Sequence, residues 1–433
     1  MTPEPPPPLL IRDARVLTLA GGGPRRGAEL ADLAPIDRAD VLIEHGRIAG
    51  VAPSDERERA DAPAGPSVSP PGPPPADLRT IDARGRVLMP GFADAHTHLC
   101  WAGDRLDEWK LKQRGATYLE LLEAGGGIMS TVRAVREATE AQLADELRGR
   151  LHRALREGTV AVEIKSGYGL TTPDELKMLR AAARAAETWP GVVSLTACIG
   201  HAIDPDVERA VFVARTIDET LPAVHDEFPH AAIDAYCERG AWSLDECVRL
   251  FDRALALGHP VRVHTDQFHA LGMTEWAIDR AAEGAAVLSV DHLEATGPET
   301  ADRLGSSGVA CVLLPCSGFH VDGRFAPGRE LADAGAHVVV ATNANPGSAP
   351  CLSPPMAIAL ATRSLGLTAA EAIAATTANA AALLGLDDAG AVQPGRRADL
   401  VLLAHTDERQ LGYEFGGSPV DTVICDGEIV AQS

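Results

Sequence analysis

Two histidines two positions apart are the first residues in this sequence with the types and spacing for chemistry. They close the segment Pro90-Gly91-Phe92-Ala93-Asp94-Ala95-His96-Thr97-His98. Because side chains alternate along a strand, His96 and His98 are expected to point to the same side. Two such imidazoles can bind one divalent metal ion, with Zn–N bonds of about 2.0–2.1 Å. A His-x-His pair also occurs as two ordinary buried histidines, so a third ligand is needed.

Candidates for that third ligand close other short β-branched runs. His264 ends the run Val261-Arg262-Val263-His264, and His201 and His292 stand at the ends of two further runs. One of the three should complete the metal site, and the other two could face a substrate. The residues alone leave the choice open.

The elements that must position these histidines follow a β-α rhythm. Eight predicted strands end near His98, Gly167, His201, Cys237, Gln267, His292, Cys316 and Asn345. Helical stretches lie between or after them, including Glu137–Glu157, Pro173–Glu187, Leu244–Leu257 and Ala369–Leu384. The alternation predicts a parallel sheet closed into a (β/α)8 TIM-type barrel over residues 89–385. Active sites of such barrels lie at the carboxyl ends of the strands, where the metal-capable residues accumulate here.

The two chain ends have a different pattern, made of short strands and turns. The predicted strands are Leu9–Leu19, Val41–Val51, Thr80–Leu88, Ala398–Leu403 and Thr422–Val430. We therefore predict a small β-sandwich domain formed by residues 1–88 and 386–433. Fifteen of the 31 prolines fall in the first 75 residues, and residues 52–76 are expected to be a mobile insertion.

Composition limits the partners of the protein. The 433 residues carry a formal net charge of −22, which disfavours nucleic acid and anionic membrane surfaces. The longest apolar runs are far shorter than the ~20 residues that span a bilayer, and the first residues show no secretion signal. The eight cysteines form no Cys-x-x-Cys pair, which fits reduced thiols. The expected compartment is the cytoplasm.

A series of motifs in order makes the likeness to a known family specific. They are His96-Thr97-His98, Lys165-Ser166-Gly167-Tyr168-Gly169, Gly200-His201-Ala202, His264-Thr265-Asp266-Gln267, Asp291-His292-Leu293 and Asn345-Pro346-Gly347-Ser348. Between about Leu88 and Leu384 the chain resembles the imidazolonepropionases, a family of metal-dependent hydrolases in the amidohydrolase superfamily. The likeness continues into the segment from Gly390 to Leu400, which is typical of the superfamily's small β-domain.

The resemblance implies a reaction, a metal and a set of site residues. The reaction is the hydrolytic ring opening of 4-imidazolone-5-propanoate to N-formimino-L-glutamate in histidine degradation. The implied cofactor is one zinc or iron ion, and the implied assembly is a homodimer. The implied metal ligands are His96, His98, His264 and Asn343. The implied substrate-binding residues are Arg105, Tyr118, Tyr168, His201, Gln267, Asn345, Gly347 and Ser348, and His292 and Gln267 are the implied catalytic residues.

Several of these residues also have an ordinary interpretation. Arg105 could pair on the surface with Asp104, Asp107 or Glu108, and Tyr118 could simply pack beside leucines. Gly125-Gly126-Gly127 lacks the features of a phosphate loop and is interpreted as a lid or turn. Lys165 could suggest the carbamylated lysine of two-metal relatives. Because it lies on the second strand, we expect one metal.

One position departs from the superfamily pattern. Asn343 stands where the eighth strand usually carries an aspartate that helps deprotonate water. An amide can offer its oxygen to a metal but cannot act as a base. Asp266 could in principle swing onto the metal instead. The working hypothesis is an active hydrolase. The alternatives are a hydrolase of another cyclic amide, a heterocycle deaminase on the same fold, and a catalytically weak binding protein.

Overall fold

The computed structural model describes residues 6–21, 23–54, 77–115 and 126–433. Most of the proline-rich segment 52–76 therefore lies outside the described residues, as does Gly125 of the glycine run. The described strands form two sheets of eight strands each. One sheet is built from the middle of the chain and the other from its two ends.

The middle of the chain forms a parallel sheet whose eight strands follow each other in chain order. They are Phe92–Asp94, Thr159–Lys165, Val192–Gly200, Ala232–Tyr236, Val261–Thr265, Val287–His292, Ala310–Leu313 and His337–Val340. The segments that follow the first and last strands pair through a bridge between Thr97 and Ala344. The His98 amide donates to the Ala344 carbonyl at 3.0 Å beside it. This closure confirms the predicted (β/α)8 barrel.

The observed strand ends lie close to the predicted ones. The difference ranges from none at His292 to five residues at Asn345.

Helices cover the outside of the barrel and continue after its last strand. The described α-helices are Leu106–Gln113, Ile128–Glu137, Glu140–Arg156, Thr172–Ala186, Arg209–Arg215, Leu221–Glu227, Leu244–Ala256, Met273–Ala282, Pro298–Ser306, Pro315–Val321, Gly328–Asp333, Pro354–Ser364, Ala369–Thr376, Ala378–Leu383 and Gln410–Tyr413. A 3-10 turn spans Gly27–Ala31, and a π-helical turn spans Thr216–Thr220. No helix in the described ranges combines the length and apolar character needed to cross a bilayer.

Two predicted helices differ from the structure, one at its start and one in its interior. The helix predicted from Glu137 begins at Glu140, because Thr139 caps it reciprocally with Gln142 and Ala138 is extended. The helix predicted over 369–384 is interrupted at Thr377, whose φ of −123° and ψ of −90° are not helical. In both places a threonine marks a helix boundary inside the predicted helix. The periodicity of apolar residues alone therefore overestimates helix length.

The chain ends pair into a second, mixed sheet, as the sequence predicts. Its strands run in the order Glu428–Gln432, Val420–Cys425, Leu400–Leu403, Val87–Pro90, Leu9–Leu17, Pro35–Glu44 and Arg47–Pro53, with Arg79–Asp82 added beside Leu9–Leu17. Gly46 and Gly427 turn two neighbouring hairpins with positive φ, and a Cβ on Gly46 would lie 2.5 Å from Asp426 Oδ1. The domain boundaries at 88/89 and 385/386 stay a prediction, and the first falls within the strand Val87–Pro90.

Candidate active site

Three buried imidazoles meet at the carboxyl ends of the barrel strands. His96 and His98 follow the first strand, and His264 lies in the fifth. The donor atoms of the three residues all lie within 4.8 Å of one another. His98 Nε2 and His264 Nε2 are 3.1 Å apart, and the rings of His96 and His264 are centred 4.6 Å apart. The arrangement brings together three residues that are up to 168 positions apart in sequence.

His96 and His98 are in the neutral form that binds a metal. Burial, together with the Lys165 ammonium, lowers the pKa of His96 well below its usual value. Burial and the neighbouring His201 do the same for His98. Among the described residues, His96 Nε2 and His98 Nδ1 have no hydrogen-bond partner although both are buried. Neutral imidazoles with unused nitrogens fit a zinc-like divalent ion, so the donor set suits the implied cofactor.

Carboxylates lie behind two of the three imidazoles. His96 Nδ1 donates to Asp291 Oδ2 at 2.7 Å, and His264 Nδ1 donates to Asp234 Oδ1 at 3.0 Å. These hydrogen bonds place the proton on Nδ1 and leave each Nε2 with its lone pair. Asp234 was not among the residues predicted from the sequence, and Asp291 appeared there only as part of a motif.

The two carboxylates are held in turn by a buried network of charges. Lys165 Nζ donates to Asp234 at 2.7 Å and to Glu163 at 2.9 Å. Arg262 bridges from Glu163, at 2.7 Å, to Asp291, at 3.2 Å. The network therefore connects the supports of two candidate metal ligands, and it comes from the second, fourth, fifth and sixth strands.

Lys165 is a cation in this network rather than a metal-bridging carbamate. Burial and Arg262 act to lower its pKa, but Asp234, Glu163 and Asp291 outweigh them, and the pKa is raised. A protonated amine has no lone pair with which to take up carbon dioxide. Cys198, Asp234 and His264 also lie close enough together to suggest a second metal position. Asp234 already accepts from Lys165 and His264, which leaves this position poorly suited to another cation.

Tyr168 and His201 form one wall beside His98. The His201 ring stacks on the His98 ring at 4.6 Å with an angle of 14°, and the Tyr168 ring lies 5.3 Å from that of His201. Burial lowers the pKa of His201 to about 3, so this imidazole is neutral. A Cβ on Gly167 would lie 2.8 Å from His201 Nδ1, and Gly167 has a φ of 113°. The close approach therefore depends on a glycine at 167.

The buried carboxylate of Glu175 holds the turn that carries Tyr168. It accepts hydrogen bonds from the backbone amides of Gly167, Gly169 and Leu170 at 2.8–2.9 Å. Glu175 belongs to the helix Thr172–Ala186, which begins directly after the turn. Glu175 was not among the residues predicted from the sequence, because a glutamate in the first helical turn looks like a solvent-exposed charge.

Gln267 is oriented by Tyr236, which the sequence analysis also missed. The Tyr236 hydroxyl donates to Gln267 Oε1 at 2.7 Å. Its ring lies 5.9 Å from that of His264 and 6.5 Å from that of His292. Because the amide oxygen accepts from Tyr236, the amide nitrogen of Gln267 remains as its donor. The position of Tyr236 at the end of the fourth strand was the signal that could have found it.

The loop after the eighth strand is organised by Asn345. Its Oδ1 accepts from the amides of Gly347 and Ser348, both at 2.8 Å, and its Nδ2 donates to Ser348 Oγ at 2.8 Å. The same Nδ2 donates to Asn343 Oδ1 at 3.2 Å. The implied role of Asn343 as a metal ligand stays a prediction. It would require this oxygen to serve the metal as well as Asn345.

Arg105 lies against this loop and is also paired. Its guanidinium forms a two-pronged ion pair with Glu108, as in the ordinary interpretation. It also approaches the loop, since a Cβ on Gly347 would lie 3.0 Å from Arg105 Nη1. Arg105 Nη1 donates to Thr131 Oγ1 at 3.4 Å. Tyr118, which is also an implied substrate-binding residue, lies outside the described residues.

His292 joins the imidazole cluster through an unusual backbone. Its ring is centred 5.5 Å from that of His264 and 5.9 Å from that of His96. His292 and Leu293 both have positive φ, 90° and 72°. Non-glycine residues with such φ are uncommon and cluster at functional sites.

Asp266 is not poised to replace the missing aspartate. Its Oδ2 accepts from the hydroxyls of Thr274 and Thr296, and its Oδ1 accepts from that of Thr265, all at 2.9 Å. These bonds hold the side chain in a structural position at the start of the loop. The idea that Asp266 swings onto the metal would require all three to break.

Comparison with known proteins adds a family to this geometry. A family model described as "Amidohydrolase family" matches residues 87–430. A protein from Herpetosiphon aurantiacus named "Imidazolonepropionase" is 41% identical over 98% of this chain and 97% of its own length. One of the same name from Deinococcus radiodurans is 41% identical over 94% of this chain and 95% of its own.

Solved structures with a similar fold are more distant in sequence. A 5-methylcytosine deaminase from Klebsiella pneumoniae has a TM-score of 0.72 at 18% identity, covering 98% of this chain and 97% of its own. A triazine hydrolase variant has a TM-score of 0.70 at 20% identity, covering 98% and 95%. At these identities the likeness shows the barrel fold and no more.

Proposed function

This chain belongs to the amidohydrolase family and, within it, to the imidazolonepropionases, and we propose that it hydrolyses 4-imidazolone-5-propanoate to N-formimino-L-glutamate. The substrate is a cyclic amide, and the reaction breaks one of its ring C–N bonds. The observation that carries the proposal is the cluster of His96, His98 and His264, with two of its imidazoles backed by carboxylates.

In this proposal His96, His98 and His264 hold one zinc or iron ion, with Asn343 as a further ligand. A bound ion of this kind polarises a carbonyl group and lowers the pKa of water. The chain's contribution is to orient the imidazoles and to fix which ring nitrogen carries the proton. Asp291 and Asp234 do this for His96 and His264 by accepting a hydrogen bond from Nδ1–H.

The pocket residues bind and orient the substrate. Arg105 offers a rigid pair of donors to the propanoate carboxylate, which would share the guanidinium with Glu108. Gln267 donates from its amide nitrogen to the carbonyl oxygen of the imidazolone ring, since its own oxygen accepts from Tyr236. The other proposed substrate-binding residues are Tyr118, Tyr168, His201, Asn345, Gly347 and Ser348.

His292 moves the proton in this proposal. It takes a proton from the attacking water and gives it to the ring nitrogen that leaves, which is general acid–base catalysis. Its ring lies within 6 Å of two of the three candidate metal ligands, close enough to serve the same reacting atoms.

We also propose that the protein is a homodimer and that it works in the cytoplasm. Light scattering of the purified protein measures the number of subunits.

The test is turnover with and without metal. The purified protein should consume 4-imidazolone-5-propanoate, followed by loss of ultraviolet absorbance, and should lose activity when a chelator strips the metal. Zinc or iron added back should restore it. Other cyclic amides and aminated heterocycles serve as controls, and faster turnover of any of them would reject the proposed substrate.

Replacing Arg105 tests the substrate more closely. Loss of a hydrogen bond to a charged group costs about 1.5–3 kcal/mol, so Arg105→Ala should raise KM about 10- to 100-fold while kcat changes little. The matched control is Arg148→Ala, which removes a half-buried arginine from another (i, i+3) pair, formed with the exposed Asp145. Equal, mild effects of Arg105→Ala on KM and kcat would contradict the assigned role.

A further inference from the structure

The side chain of Glu294 lies against the imidazole of His292. His292 Nδ1 donates to Glu294 Oε1 at 3.2 Å, and the Glu294 side chain is 6% exposed. Its second oxygen, Oε2, is buried and has no hydrogen-bond partner among the described residues. Burying a carboxylate with so few partners opposes folding, so its presence calls for an explanation other than stability.

The backbone around Glu294 is built to keep it there. The positive φ angles of His292 and Leu293 reverse the chain directly after the sixth barrel strand. Two hydrogen bonds to the neighbouring loop fix the reversal: the Leu293 amide donates to the Thr265 carbonyl at 3.2 Å, and the Ala295 amide donates to the Asp266 carbonyl at 2.6 Å. The turn returns Glu294 to the imidazole two residues before it.

The two other residues considered for the proton-accepting role, Asn343 and Asp266, leave that role open. Asn343 has no negative charge, and its amide oxygen accepts from Asn345, so its remaining polar group is an NH2 donor. Asp266 is held by three threonine hydroxyls. A histidine can accept a proton only at a nitrogen that carries none, so the tautomer of His292 decides whether it can act.

We propose that Glu294 is a positioning residue that holds His292 as its Nδ1–H tautomer, with Nε2 free to accept the proton in hydrolysis. Asp291 and Asp234 do the same for His96 and His264, whose Nε2 atoms would then be left for the proposed metal. At His292 the same kind of carboxylate–imidazole hydrogen bond leaves Nε2 unprotonated and able to accept a proton. The catalytic part of this inference rests on the proposed function, whereas the tautomer itself does not.

The test combines nitrogen NMR with kinetics on the metal-loaded protein. With ¹⁵N-labelled histidine, the His292 signal is identified by its loss in His292→Asn. The variants are Glu294→Leu, which removes the carboxylate at similar volume, and Glu294→Asp, which keeps it. The matched control is Glu414→Leu, which removes a carboxylate 3.3 Å from His405, just after the strand Leu400–Leu403.

We expect the wild-type protein to show an Nδ1–H, Nε2-unprotonated signal for His292. Glu294→Leu should shift His292 towards the Nε2–H tautomer and lower kcat about 10- to 100-fold, the effect usual for an outer-sphere partner, with KM within about twofold. Glu294→Asp should recover most of the kcat. Because an incompletely paired buried carboxylate is removed, the Tm of Glu294→Leu should equal or exceed that of the wild type.

The inference is overturned if the Nδ1–H signal persists in Glu294→Leu, or if kcat is unchanged. It is also overturned if kcat, KM and Tm all worsen together, as a purely structural role requires. Absence of turnover in the wild-type protein would reject the proposed function instead, and the NMR result would still decide the tautomer.

Discussion

The interior of the barrel and the interior of the sheet formed by the chain ends contain different kinds of buried side chain. Beneath the imidazole cluster, the barrel strands bury charged side chains, namely Glu163, Lys165, Asp234, Arg262 and Asp291. The sheet from the chain ends buries aliphatic side chains, among them Leu9, Ile11, Val41, Ile43, Leu400, Leu402 and Ile424. Both interiors are almost fully shielded from water.

The difference separates what folds the molecule from what orients its site. A buried ion pair costs so much desolvation that it often adds nothing to stability compared with apolar residues of the same size. Aliphatic burial contributes roughly 25 cal/mol per Å². The charges in the barrel are therefore explained by the histidines they hold, and the aliphatic sheet is explained by folding. Mutations in the barrel interior should therefore affect the metal site, whereas mutations in the aliphatic sheet should affect only stability.

The largest effect is expected from breaking the charged interior at its centre. Lys165→Met leaves Glu163 and Asp234 without their shared cation, and breaking a buried pair costs about 3–5 kcal/mol. Because Asp234 also holds His264, metal affinity should fall about 10- to 100-fold as well. Urea unfolding of the apoprotein and competition with a zinc chelator measure the two effects separately.

Lys177→Met is the matched control for this change. Lys177 pairs with Asp174 at 2.8 Å near the surface of the helix Thr172–Ala186, where such a pair contributes about 0–1 kcal/mol. If Lys165→Met unfolds at lower urea but binds zinc as tightly as the wild type, the charged network does not orient the metal ligands.

A smaller and purely structural effect is expected from the aliphatic interior. Leu402 is fully buried in the sheet formed by the chain ends, and Leu402→Ala should lower the free energy of unfolding by about 2–5 kcal/mol. At a temperature where the variant is folded, kcat, KM and zinc affinity should match the wild type. A change in kcat of more than about threefold would mean that the two regions are coupled, against the expected additivity of distant sites.

The two regions also differ in how far the sequence predicts them. The strands of both sheets are predictable, because β-branched runs bounded by turn residues such as Asp426-Gly427 mark them directly. The histidines at the strand ends are likewise visible, since His96 and His98 share a face and each candidate partner closes a run. What brought them into one set was the order of motifs typical of the family.

The charged interior is not predictable from local patterns. Glu163, Lys165 and Arg262 alternate with apolar residues in Thr159–Lys165 and Val261–Thr265, a pattern that normally marks a strand with one face in water. Only closure of the barrel turns that face inward. Tyr236 and Glu294 are not predictable from the sequence for a related reason. Their contacts with Gln267 and His292 exist only in the folded site.

The smallest effect on turnover is expected at the position that departs from the superfamily pattern. In Asn343→Asp a carboxylate oxygen can still accept from Asn345 Nδ2, so the loop should keep its shape. The added negative charge should strengthen metal binding. If His292, positioned by Glu294, already moves the proton, a second base is redundant, and kcat at pH 7 should stay within about tenfold of the wild type, less than general base catalysis supplies. A gain of more than a hundredfold would show that the natural protein lacks an effective base, and the barrel interior would then orient a site that its own eighth strand leaves incomplete.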